Sequence, residues 1–160
     1  DRSRPAGERE FMTANARGAA ANQQALLSPN VTLVFDGGSL GNPGKGYGSF
    51  ITRGAVQTGD PERREYAGRR TNNEAEYMTL LEGLRYILRE AQATGQEPTT
   101  LMIEVRSDSK LVVEQISGRW KVKNEGLRPL HAEARELLRR FGNWQLTWHP
   151  RSESVRYLGH

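Results

Sequence analysis

Cysteine is absent from this 160-residue sequence. Disulfides, thiolate metal sites and cysteine nucleophiles are thereby excluded, and the composition fits a reducing compartment. Histidine is scarce, at 3 residues, and no His-Glu-x-x-His occurs, which disfavours a zinc centre. No apolar run approaches the roughly 18 residues of a membrane span, and no secretory leader is legible. A cytoplasmic location away from membranes is therefore expected, and the Asn30-Val31-Thr32 sequon is discounted. The glycine-rich stretch from Gly37 to Gly48 lacks the signatures of nucleotide loops. Gly46 follows Lys45 where a phosphate-binding loop needs Ser or Thr, and no Gly-x-Gly-x-x-Gly is spelled. Internal repeats are lacking too.

What remains is an ordinary soluble composition, 36% hydrophobic and 26% charged, of a size suited to one domain with a real core. The net charge of +4 is compatible with a polyanionic partner and proves nothing alone. Residues 1–29 are polar and without sustained period. They read as a flexible arm, with a short helix over Ala19–Leu27. Arg2, Arg4, Arg9 and Arg17 on that arm are candidates for a phosphate backbone, though a solvated tail explains them more simply. The first residue is Asp1, and Met12 is a candidate native start. Residues 30–160 are expected to form the folded domain.

Within it, Val31–Phe35 reads as a buried strand, Tyr47–Thr52 as a second and Glu65–Gly68 as a short third. Thr71–Ala93 is the strongest helix. Thr71 or Asn72 can cap it, and Tyr77, Leu80, Leu81, Leu84, Ile87, Leu88 and Ala91 recur at helical spacing. Leu101–Arg106 reads as a fourth strand, Lys110–Ile116 as a short helix and Gly118–Asn124 as a basic connector. Leu127–Phe141 reads as a further helix, Trp144–Trp148 as a fifth strand and His149–His160 as a polar tail. Short links make the first three strands antiparallel, and helical crossovers make the fourth and fifth parallel. The expected fold is α/β, one five-stranded mixed sheet with helices packed on its faces.

Three carboxylates stand in odd places. Asp36 and Asp108 each end a strand, and a parallel pairing of those strands brings both to one end of the sheet, where open α/β sheets keep their sites. Singly, each also fits a helix cap or a loop aspartate. Glu76 precedes Leu80 by one turn and so points to the apolar side near the helix start, as a buried carboxylate or an amphipathic edge residue. Converging carboxylates repel, and hard divalent cations resolve the repulsion. Two such ions about 3.5–4 Å apart can serve a phosphodiester.

These residues resemble ribonuclease H, type 1, in its compact branch without the basic protrusion. The carriers are Phe-Asp-Gly-Gly-Ser with Gly-Asn-Pro-Gly at 35–44, Thr-Asn-Asn-Glu-Ala-Glu-Tyr at 71–77, Ser-Asp-Ser-Lys-Leu-Val-Val at 107–113 and Trp-Lys-Val-Lys-Asn at 120–124. The resemblance implies a ribonuclease H-like domain that hydrolyses the RNA strand of RNA–DNA hybrids with two Mg²⁺ or Mn²⁺ ions. It implies that Asp36, Glu76 and Asp108 ligate the metal and that His149 is a flexible histidine that assists the leaving group or product release. It further implies that Asn42, Asn72 and Asn73 reach the hybrid minor groove, and that Thr71 and Asn73 hold a DNA phosphate. Ser109 would lie beside the RNA, and Trp120 would border the DNA channel. The physics agrees, since a shallow minor groove with 2′-hydroxyls suits small polar side chains. Lys121 and Lys123 beside Trp120 offer charge for a nucleic-acid backbone. For Trp120 a buried ring with solvated lysines is the alternative, for Asn72 and Asn73 a helix cap, and for His149 a solvent-exposed loop.

One departure stands out. The family carries a fourth carboxylate on a final helix, roughly ten residues after a histidine like His149, and no aspartate follows Asp108. Three accounts stay open. The sequence stops short of it with its final helix truncated or absent; Glu153 or His149 replaces it; or the domain binds hybrids, and double-stranded RNA, while cutting poorly. A nuclease domain of a larger polyprotein is a further reading, and a monomer is expected.

Overall fold

A computed structural model describes residues 28–159. The arm over residues 1–27, its helix and its arginines, and His160 lie outside the described residues. Val31–Leu40 (β1), Gly44–Gly54 (β2) and Glu62–Arg70 (β3) come first, then the helix Asn72–Ala93 (α1) and a 3₁₀ turn at Pro98–Thr100. Met102–Ser107 (β4), Lys110–Ile116 (α2), Arg128–Leu138 (α3), Asn143–Trp148 (β5) and Arg151–Leu158 (α4) complete the chain. The sheet order is β3-β2-β1-β4-β5. β1, β2 and β3 pair antiparallel, while β4 pairs parallel with both β1 and β5. The five-stranded mixed sheet of the sequence reading is thus present.

Successive side chains of β1 point to opposite faces, and the two faces are covered unequally. Leu33 and Phe35 pack into a large core with Tyr77, Leu80, Leu84 and Ile87 of α1, Val112 and Ile116 of α2, and Ala134 and Leu138 of α3. Val34 faces the other way and meets Ile51 and Leu158 in a small cluster under α4. α1 forms where expected. Thr71 accepts from the Glu74 N–H while the Glu74 carboxylate accepts from the Thr71 N–H, a reciprocal capping box. Two glycines let this helix lie close on the hairpin. A Cβ on Gly37 would stand 2.5 Å from the Ala75 carbonyl oxygen, and one on Gly48 would overlap the Thr79 side chain.

Several boundaries differ from expectation. β1, β2 and β3 are all longer than read, because the hairpins continue through polar and glycine residues whose backbones still pair. The helix read over Leu127–Phe141 is shorter, with Leu127 as its N-cap residue and Arg139 as its C-cap. The expected polar tail after His149 contains α4, closed by Gly159 at φ 81°, so a final helix is present.

Candidate metal centre and nucleic-acid interface

β1 and β4 pair only as far as Val34 and Arg106, while β1 runs on beside β2 to Leu40. Asp36 therefore lies inside a strand and not at its end, at the point where β4 parts from β1. Asp108 follows directly on β4. Glu76, in the second turn of α1, reaches the same place from above, and its Oε1 accepts the Gly37 N–H at 2.9 Å. One carboxylate oxygen from each of Asp36, Glu76 and Asp108 falls within 4.8 Å of the others. Asp36 is buried, and burial, followed by the charges of Asp36 and Asp108, pushes the Glu76 carboxyl well above the usual range. A group of hard oxygens that repel one another in a half-dry site is the donor chemistry of a magnesium or manganese site, so the residues present fit such ions.

Two of these carboxylates have a cationic partner. Arg151, first residue of α4, places Nη1 at 3.1 Å from Asp36 Oδ2 and 3.4 Å from Asp108 Oδ2. Its neighbour Trp148 is exposed and donates its indole N–H to the Asp108 carbonyl at 3.2 Å. Neither residue carried a motif, and the segment holding Arg151 was read as tail. His149 also differs from expectation. It lies buried, its Nε2 2.9 Å from Ser154 Oγ and its ring stacked on Tyr157, where a solvent-facing loop or a mobile side chain was expected. Burial, with Arg106 nearby, holds its pKa below the ordinary value. Glu153 pairs with Arg156 at 2.8 Å. Among the described residues, neither His149 nor Glu153 joins the carboxylate cluster, and Leu158 of α4 is buried in the apolar cluster.

The remaining residues fall into two groups. Asn42 and Asn72 tie the β1–β2 turn to the start of α1, which Thr71 caps. Asn42 Oδ1 accepts the Asn72 N–H at 3.0 Å, and Asn72 Oδ1 accepts from the Ser39 N–H at 2.9 Å and hydroxyl at 3.0 Å. Both asparagines remain exposed, so they brace the helix start while their outer surface stays open. Asn73 instead joins Trp120, Lys121 and Lys123 around a surface pocket of about 670 Å³. Trp120 is 46% exposed, so it is not the buried ring of the alternative reading. The connector is pinned from below. Gln115, buried, accepts from the Tyr77 hydroxyl at 2.8 Å and donates to the Lys121 carbonyl at 3.2 Å. Ser109 caps α2, its Oγ accepting from the Val112 N–H at 3.3 Å. The start of α1 thus serves both places, Asn73 at the pocket and Glu76 one turn later in the carboxylate cluster.

Residues 53–156 match the family described as reverse transcriptase-like. A ribonuclease HI of Halobacterium salinarum is 35% identical over 148 residues, with 87% of this chain and 68% of that protein covered. The chain belongs to the ribonuclease H family. A bifunctional protein of Mycobacterium tuberculosis is 40% identical over 126 residues, covering 78% of this chain but 32% of the relative. The chain thus spans about a third of the length of that curated relative. The solved N-terminal ribonuclease H domain of the same mycobacterial protein is 36% identical, with a TM-score of 0.67 over 82% of this chain and 92% of that one. LC11 ribonuclease H1, crystallised in complex with an RNA/DNA hybrid, is 29% identical with a TM-score of 0.68, over 79% of this chain and 90% of that one. This ribonuclease H domain contains no helix, among the described residues, long and apolar enough to cross a membrane.

Proposed function

We propose that this ribonuclease H domain is a metal-dependent endonuclease that hydrolyses the RNA strand of RNA–DNA hybrids, leaving 5′-phosphate and 3′-hydroxyl ends. The convergence of Asp36, Glu76 and Asp108 from three separate elements carries the reading. The hybrid bound by LC11 ribonuclease H1 supports the substrate class. Two Mg²⁺ or Mn²⁺ ions held by these carboxylates would activate water and stabilise the leaving oxygen. Asp36 from β1, Glu76 from α1 and Asp108 just after β4 would together hold the ions. Exposed Asn42, Asn72 and Asn73 face the minor groove, where 2′-hydroxyls distinguish RNA from DNA. Trp120, Lys121 and Lys123 track the DNA backbone, Thr71 with Asn73 holds one of its phosphates, and Ser109 borders the RNA. His149 enters this reading as support for α4 and not as a mobile proton carrier. The domain acts as a cytoplasmic monomer, a placement in keeping with its lack of cysteine.

The test is cleavage of a labelled hybrid. Asp36→Asn is expected to lose about 100-fold or more, since even residues that only orient metal ligands cost about 10–100-fold. Full cutting by that variant would sink the reading. Because the trio lacks a fourth carboxylate, activity in Mn²⁺, which tolerates a less complete site, is expected to exceed that in Mg²⁺. Equal and fast rates in the two metals would refute that preference. A second reading has one observation in its favour. Leu158 fills the end of α4 with an apolar side chain and Arg151 brings positive charge to the cluster, as suits a weak enzyme that binds hybrids or double-stranded RNA. Tight binding without cleavage in either metal would select it.

A further inference from the structure

Among the described residues Arg151 pairs with two carboxylates of the cluster, and those two partners differ from it in freedom. Asp36 is fixed within the sheet with its side chain 4% exposed, and Asp108 follows β4 directly, at 11%; the Arg151 side chain is 62% exposed. The arginine is therefore the member that can leave. A guanidinium that bridges two carboxylates occupies the same lone-pair directions that a hard cation uses. A divalent ion roughly 2.1 Å from those oxygens would stand beside the guanidinium charge and be repelled by it, and because the Arg151 side chain is largely exposed that repulsion is open to screening by salt. Room to leave exists. Arg151 also borders an open groove of about 430 Å³ lined by Tyr47, Gly48, Arg63, Arg64 and Glu65. Arg156, the other cation of α4, is engaged with Glu153 and takes no part.

We propose that Arg151 is a built-in counter-cation of the metal centre. It holds Asp36 and Asp108 together until divalent ions displace it toward the groove, so it sets the ion concentration at which the centre loads. The inference rests on the metal-dependent reading above for the site, but not on what nucleic acid is cut.

Calorimetric titration of Mn²⁺ into the full chain at low salt, without nucleic acid, tests it on the parent protein, Arg151→Ala, Arg151→Lys and Arg156→Ala. Arg151→Ala is expected to bind Mn²⁺ roughly three- to tenfold more tightly. Arg151→Lys, which keeps the charge but loses the fork, should fall between the two, and Arg156→Ala should match the parent. The difference should shrink as salt rises. Equal or weaker Mn²⁺ affinity in Arg151→Ala, with an unchanged circular dichroism spectrum, overturns the proposal. If the affinity order holds while no variant cleaves hybrid, the nuclease reading fails and the counter-cation stands. If the parent cleaves but all four proteins bind Mn²⁺ alike, the reverse is true.

Discussion

His131 sits on the core side of the basic connector, its Nε2 donating to the Gln115 carbonyl at 3.1 Å and its ring edge-on to Tyr77. Burial is the main cause holding its pKa below the ordinary 6.5, and Arg135 adds to it, against the opposing hydrogen bond to Gln115. His149 is shifted in the same direction, again chiefly by burial. A base whose pKa is depressed by folding is neutral in the native state while the unfolded chain already takes up a proton. The unfolded state then binds more protons, and stability falls as pH drops below 6.5 toward the folded value. Melting temperatures between pH 7 and pH 5 should therefore decline. His131→Gln, which retains a donor for Gln115, should flatten part of that decline and His149→Gln another part. A slope identical to the parent in both variants would show that these burials do not matter to stability.

At the scale of elements, the decisive contact is between α1 and the β1–β2 hairpin, because it sets where Glu76 enters the cluster. Gly48 meets Thr79, whose hydroxyl lies 2.7 Å from the Tyr66 hydroxyl and bonds the Ala75 carbonyl at 2.8 Å. Gly48→Ala should push α1 outward and cost about 1–3 kcal/mol, read by urea unfolding, with Mn²⁺ affinity falling alongside. A stable variant with parent-like ion binding would contradict this placement of the helix. The same elements show why some of the fold was legible and some was not. α1 advertises itself because a full apolar stripe faces a large core. α4 does not, since only Ser154 and Leu158 of its residues are buried, too few to give a period. β3 hides for a similar reason. Its nine residues bury Tyr66 alone, and edge strands carry charge that masks alternation. Asp36, Glu76 and Asp108 were legible as residues that break an apolar pattern, whereas Arg151 on a solvent-facing first turn breaks none.

For the whole molecule, charge is arranged around the cluster. The pocket beside Trp120 presents Lys121 and Lys123, and the groove bordered by Arg151 presents Arg63 and Arg64 as well. Hybrid binding should weaken steeply with salt. If Lys121 and Lys123 each neutralise one phosphate, Lys121→Ala with Lys123→Ala should reduce the slope of log K against log salt by about 2, or about 1 per contact. An unchanged slope in the double variant would place the nucleic acid elsewhere. The carboxylates themselves are brought together only when β1, α1 and β4 are all in register, and none of them neighbours another in the chain. No partly folded or nicked form that lacks the β1–β4 pairing can assemble the centre. Ion loading at this centre should consequently be all-or-none: a chain that stops short of Asp108, or has not docked it beside Asp36, is expected to hold no divalent ion there.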